Sequence, residues 1–298
     1  MNTKTTVVLA LKVVLLTFLL FVCFSVASLV AGLADSGQPT PTTPVPNPNP
    51  KDAVIPLLIM CLFVTIVLSY PIIRSRWTGW RLVIAIFIVY SGISTFLTQI
   101  ETLVFLDYLV DVVPTDKIPR FFLQGAIVAA LFSPLAVLVH GRMRGTNGFQ
   151  DTRLRSAMPW TEWVLKLVSI AIIYLGIYYL FGRFVFIPLA GEAFQEYYGD
   201  LQLPMWIYPF QMARGLIWAA LALLVIRMMK GSRWESGLAV ASLFAVLMGF
   251  LLLLPNKWMP DAMRYAHFIE VSSSNFLFGW IVVWLLSRHH DSPSDLFQ

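Results

Sequence analysis

Apolar residues gather in eight runs, at approximately 12–33, 54–73, 82–106, 121–139, 164–187, 206–227, 236–254 and 266–287, separated by short polar or proline-rich stretches. A bilayer core of about 30 Å takes about 20 residues of helix to cross, so each run predicts one membrane span. The fourth and seventh runs are the cleanest. The third, fifth, sixth and eighth are interrupted by charged side chains: Glu101, Arg183, Arg214, His267 and Glu270. The expected fold is an all-α polytopic bundle of about eight spans, a single integral membrane domain over residues 1–298.

Composition agrees with that pattern. The chain is 58% hydrophobic and 12% charged, against about 25% charged residues in an ordinary soluble domain. A net charge of +5 would suggest nucleic acid in a soluble protein, but here topology accounts for it. With both termini cytoplasmic, 14 of the 21 Lys and Arg residues fall in inner segments, among them Arg74, Arg76, Arg81, Arg142, Arg144, Arg227, Lys230, Arg233 and Arg288. That obeys the positive-inside rule; nucleic acid is not an expected partner, and membrane lipids are. The expected location is the cell membrane, plasma or inner. Eleven of the 16 acidic residues lie outside or in outer helix ends, which suits a surface that handles cations or pairs with outer arginines.

The first run has a rival reading as a secretory leader, with Gly32-Leu33-Ala34 as a weak cleavage site. The stretch from Val13 to Leu33 is longer than a leader's usual apolar region, so a retained helix is expected. Cys23 and Cys61 both fall inside spans and read as small packing residues, not a disulfide framework. Residues 34–53 form a linker with proline at nearly every second position from Pro39 to Pro50, which favours extended polyproline II outside the membrane.

The inner connections after the second and sixth runs share a tripeptide, Ser75-Arg76-Trp77 and Ser232-Arg233-Trp234. Internal repeats are common in transporters, but the flanking runs do not match and Arg-Trp is frequent at an interface; coincidence is the expectation. The basic loop from His140 to Trp160 is expected to lie against anionic headgroups. Between Ile187 and Pro209, Glu192, Glu196 and Asp200 are spaced four apart and share one face if helical. A solvated amphipathic helix is the simplest reading of them, and a cation-binding face is the alternative.

Depth can be counted at 1.5 Å per helical residue. From Arg81 to Glu101 is roughly 30 Å, from Lys166 to Arg183 roughly 25 Å, and from Arg288 to Glu270 roughly 27 Å. Arg214 stands only about 20 Å above Arg227, and a long side chain can snorkel outward. Glu101 and Glu270 are its candidate partners. Ser91, Ser94, Thr95, Thr98, Gln99 and Thr102 extend a polar seam along the third run, and Arg264, His267 and Ser274 do so along the eighth. Seams of this kind must face protein or water rather than lipid.

Three functions are compatible with that constellation. Ionisable groups inside a membrane are usually paired and functional. An outward-facing pocket walled by the third, sixth and eighth runs would bind or transport a small polar, ionic or lipid-headgroup ligand through Glu101, Gln99, Arg214, Arg264, His267 and Glu270. Alternatively the charges hold helices together in a non-catalytic accessory or scaffold subunit with partner membrane subunits. A metal-dependent hydrolase would use His267 and Glu270 at i and i+3 with Glu101 as a third ligand; a lone histidine at this depth is a weak signal for it, and no metal site is assigned.

The stretch from Pro209 to Leu216 is similar, in the placement of Arg214, to the motif of the CAAX-type intramembrane proteases. Where that family has adjacent glutamates, this chain has Pro209 and Phe210, so the resemblance does not extend to the carboxylates that activate water. Gly-x-Ser-x-Gly, the phosphate loop and Cys-x-x-Cys are absent, and His140, His289 and His290 lie too far from His267 to form a bis-histidine haem site. No cofactor is implied by the sequence.

Overall fold

The computed structural model describes residues 3–33, 49–104, 117–145, 159–199, 203–256 and 259–287. Most of the proline-rich linker, Asp200, Arg288 and most of the basic 140–160 loop lie outside the described residues, so the expectations for them stay as read from the sequence.

Without water to satisfy them, backbone N–H and C=O groups must pair within their own segment, and each apolar run duly forms a helix. The spans are α1 (Thr3–Val30), α2 (Val54–Ile73), α3 (Gly79–Val104), α4 (Lys117–Val139), α5 (Trp160–Ala190), α7 (Ile207–Met228), α8 (Arg233–Leu253) and α9 (Asp261–Ser287). A short α6 (Glu192–Tyr198) lies between α5 and α7 and carries Glu192 and Glu196 exposed to solvent. All eight spans are long and apolar enough to cross a membrane. Most exceed the apolar run that predicts them, because polar residues such as Thr3 and Lys4 extend the helical ladder beyond the hydrocarbon stretch.

The helices are not equally enclosed. Within the protein α8 is 67% buried and α1 only 17%, so α8 is the central post and α1 lies at the lipid boundary. A central helix must let neighbours approach closely, and α8 presents Ser236, Gly237, Ala239, Ala241, Ala245 and Gly249 to them. Its closest neighbour is α9, where Gly279 faces Ala241; a Cβ on Gly279 would stand 2.9 Å from the Ala241 Cα. Small residues at such crossings substitute for the hydrophobic drive that lipid removes.

Packing divides the chain into two like halves. In the first, α1 packs on α2 and α4, and α3 on α4; in the second, α5 packs on α7 and α9, and α8 on α9. Between the halves α2 meets α8 and α3 meets α7, which are the same contact after exchanging the halves. Each half has four spans, so both start from the same end of the bundle, the sense that a parallel repeat has. The interval from Thr3 to Trp160, where the halves begin, equals that from Ser75 to Ser232.

The paired tripeptides therefore occupy corresponding loops, contrary to the expectation of coincidence, and the two loops are bonded to one another. Ser75 and Met229 form an antiparallel bridge. The Arg76 N–H donates to the Met228 carbonyl at 2.8 Å and the Lys230 N–H to the Arg74 carbonyl at 2.7 Å. Ser232 caps α8 in a reciprocal box with Glu235, and the same Glu235 carboxylate accepts from Arg74 at 2.8 Å. This basic end of the bundle is thus tied across the halves by backbone and by charge.

At the same end His140 Nε2 lies 2.9 Å from Ser69 Oγ. Burial, with the Lys12 ammonium adding to it, pushes the His140 ring down to about 4 from an ordinary 6.5. The folded state thus refuses a proton that the unfolded chain accepts, so stability is complete above pH 6.5 and is lost as pH falls towards 4. Thermal melting in detergent should show that loss, and His140→Gln should flatten it. Gly279→Val should lower stability by about 1–3 kcal/mol through overpacking against Ala241, read as a lower melting midpoint at neutral pH.

Candidate functional site

Among the described residues Arg214 is the most enclosed charge, 1% exposed. Two features of α7 seat it. Gly215 comes next, and its missing side chain lets α7 close on α5: a Cβ there would stand 2.8 Å from the Tyr174 Cβ. Gln211 precedes by three residues, on the same face, and its Oε1 accepts from Arg214 Nη1 at 2.8 Å.

The counter-charge comes from α3 in the other half. Glu101 Oε2 accepts from Arg214 Nη2 at 2.7 Å, and the Leu97 carbonyl accepts from the same nitrogen at 3.2 Å. Residues Gly92–Leu97 of α3 form a π-helical turn, a widening that shifts the register of the next helical residues and is frequent at functional sites. Both acceptors lie at or just beyond it. Phe210 and Tyr174 flank the guanidinium, with ring centroids 5.9 and 5.8 Å from its carbon.

Polar capacity around the pair is not used up. Gln211 Nε2 and Arg214 Nε are buried without a protein hydrogen-bond partner. Gln99 Oε1 is unpartnered too, but Gln99 is two residues from both Leu97 and Glu101 on α3, about half a turn from the face that meets Arg214. Glu101 is less enclosed than Arg214, 26% exposed on its side chain, so the pair is open on the side of the carboxylate. A second set of carboxyl and hydroxyl groups lies nearby: Tyr174 and Tyr178 are within electrostatic reach of Glu101, Arg214 and Glu270 together.

The other residues singled out from the sequence are placed differently. His267 stacks on Phe186 of α5 with centroids 3.8 Å apart and sits 3.5 Å from Glu270 Oε2 through Nδ1. Phe186 ends a second π-helical turn, Gly182–Phe186, so each half of the expected constellation adjoins one. Arg264 turns away from both carboxylates. Its Nη1 donates to the Leu252 and Leu253 carbonyls at 2.9 and 2.8 Å, and its Nη2 to Asp261 at 2.7 Å. It satisfies the carbonyls left at the end of α8, as a cation at a helix C-terminus does. Arg183 is exposed on the bundle's flank.

The hydroxyl seam of α3 mostly serves its own helix: Ser91, Ser94 and Thr102 donate to the carbonyls of Phe87, Tyr90 and Thr98. Among the described residues no group of three or more His, Cys, Asp or Glu side chains is placed to hold a metal. The hydrolase arrangement of His267, Glu270 and Glu101 is therefore not assembled there. Gln211 and the Leu97 carbonyl are the partners the sequence pattern does not reveal. A glutamine three residues before a membrane-buried arginine is a usable signal for the first; a backbone carbonyl at the end of a π turn leaves no trace in composition.

Comparison with protein-family models, with curated proteins and with solved structures returned no match for this chain.

Removing one member of the pair should cost far more than removing both. Glu101→Leu leaves a buried uncompensated cation, at about 3–5 kcal/mol. Glu101→Leu with Arg214→Met should recover most of that, and a double-mutant cycle on melting midpoints reads the difference.

Proposed function

We propose that this multi-pass membrane protein binds or transports a small polar, ionic or lipid-headgroup ligand at the Arg214–Glu101 site. The observation that carries the reading is the position of the pair: a buried ion pair with unpartnered polar atoms around it, lying across the seam between two like halves. Transporters built from parallel repeats hold their substrates at the repeat interface, and rock one half against the other around it. An anionic group on the ligand competes with Glu101 for Arg214; a cationic group competes with Arg214 for Glu101. Gln211 Nε2 supplies a donor without a protein partner, and Glu270 lies within electrostatic reach of Tyr174 and Tyr178. The excess of basic residues at the end where both halves begin argues for that end in the cytoplasm, and for a site towards the far side of the cell membrane.

A non-catalytic accessory subunit is the second reading, favoured by the short 2.7 Å ion pair, which locks α3 to α7 with or without a ligand. Ligand screening by thermal shift separates the two. A ligand at 100 times its Kd raises stability by about 2.7 kcal/mol. A binding protein should show such a shift with amino acids, organic ions or soluble headgroups, and lose it in Gln211→Ala, measured against that variant's own unliganded midpoint, which should itself fall because a buried partner of Arg214 is gone. No shift with any class would leave the pair as a helix lock and support the accessory reading.

A further inference from the structure

At the basic end, on the outside of the bundle, α8 and α9 leave a groove of about 190 Å³ lined by Arg233, Trp234, Gly237, Trp280, Val283 and Trp284. None of its lining residues belongs to the Arg214 site, and it does not depend on the function proposed for that site. Its walls are almost wholly apolar, and Gly237 is its floor. A Cβ on Gly237 would sit 3.5 Å from the Trp280 ring, in ordinary contact. Close packing therefore does not require glycine at this position; what glycine preserves is the open space.

Three observations bear on what fills it. The groove straddles the edge of the apolar zone: Arg233 opens α8, and Trp284 is in the last turn of α9. Tryptophans concentrate at that level of a bilayer, where ring and N–H meet chains and headgroups at once. Trp234 is 73% and Trp284 49% exposed, so the surfaces in question face lipid. The volume is below the roughly 300–1,000 Å³ of a compact ligand site, and suits a stretch of acyl chain.

Charge then selects the headgroup. Among the described residues Arg233 takes part in no ion pair, while Glu235, the acidic residue nearest to it on α8, is held by Arg74 and by the Ser232 N–H. The corresponding loop of the first half makes the opposite arrangement. There Arg81 lies 4.0 Å over the Trp77 ring and Trp77 is half-buried, so the equivalent tryptophan is covered by its own arginine. Of these two loops, the second half's presents an open indole surface beside a cation without a carboxylate.

We infer that this groove is a binding site for an anionic phospholipid, with an acyl segment over Gly237 between Trp234, Trp280 and Trp284 and the phosphate beside Arg233.

Native mass spectrometry of the delipidated full-length protein, given phosphatidylglycerol or phosphatidylcholine in mixed micelles, tests this directly. The parent should retain phosphatidylglycerol in preference to phosphatidylcholine. Arg233→Gln should reduce that preference about five-fold, the worth of one basic residue at an anionic surface. Gly237→Leu, which fills the groove, should abolish the retained lipid, and quenching of tryptophan emission by brominated phosphatidylglycerol should fall with it. Melting midpoints near the parent's would establish that both variants are folded; should Gly237→Leu not fold, Trp284→Ala with the same readouts replaces it. Equal retention of the two lipids, unchanged adducts in the filled variant, or a lipid-free dimer that the filled variant disperses would each overturn the assignment.

Discussion

A guanidinium that cannot reach water must find its counter-charge and all its acceptors inside the protein, and Arg214 imposes that condition on the centre of this bundle. Glutamine one turn earlier on α7, the Leu97 carbonyl at the end of the π turn of α3 and the Glu101 carboxylate meet it for the two terminal nitrogens, leaving Nε without a protein partner. The guanidinium fixes the distance between α7 and α3, and with it the seam between the halves. Gly215 on one side and the widened turn on the other are the local distortions that let the groups meet.

The two ends of the seam are held by different physics. At the basic end the tie is largely backbone to backbone, a two-strand bridge between loops with an exposed Arg74–Glu235 pair beside it. Exposed pairs of this kind contribute little individually, and directional hydrogen bonds set the geometry. Further into the bundle the tie is a single desolvated ion pair, which is strong when complete and costly when broken. A ligand that exchanges with one member of that pair acts on the stiffer joint.

How much of this is legible in the sequence depends on the same physics. Hydrophobic length determines a span almost by itself, so all eight helices can be read, with errors only where polar residues prolong a helix past the hydrocarbon. Depth counting from basic anchors also brings Arg214 to Glu101, because helical rise is nearly invariant. Direction around the axis is less constrained. Arg264 has the right depth for the pocket, but carbonyls at the end of α8 compete for it and are nearer. The duplication is hidden for a related reason: two halves need the same shape and the same contacts, and lipid-facing positions accept almost any apolar side chain. Only the loops keep a trace of it, in Ser75-Arg76-Trp77 and Ser232-Arg233-Trp234, where a bridge and a cap constrain particular residues.

Glu235 carries a consequence for how the chain assembles. Its carboxylate closes the local box that starts α8 and also meets Arg74, which lies 161 positions earlier. A local cap can form as soon as its few residues emerge, whereas a contact of that sequence separation waits for loop closure. The helix start therefore presents a pre-oriented acceptor to a half that was synthesised first, and insertion of the second half is read against the first at one carboxylate.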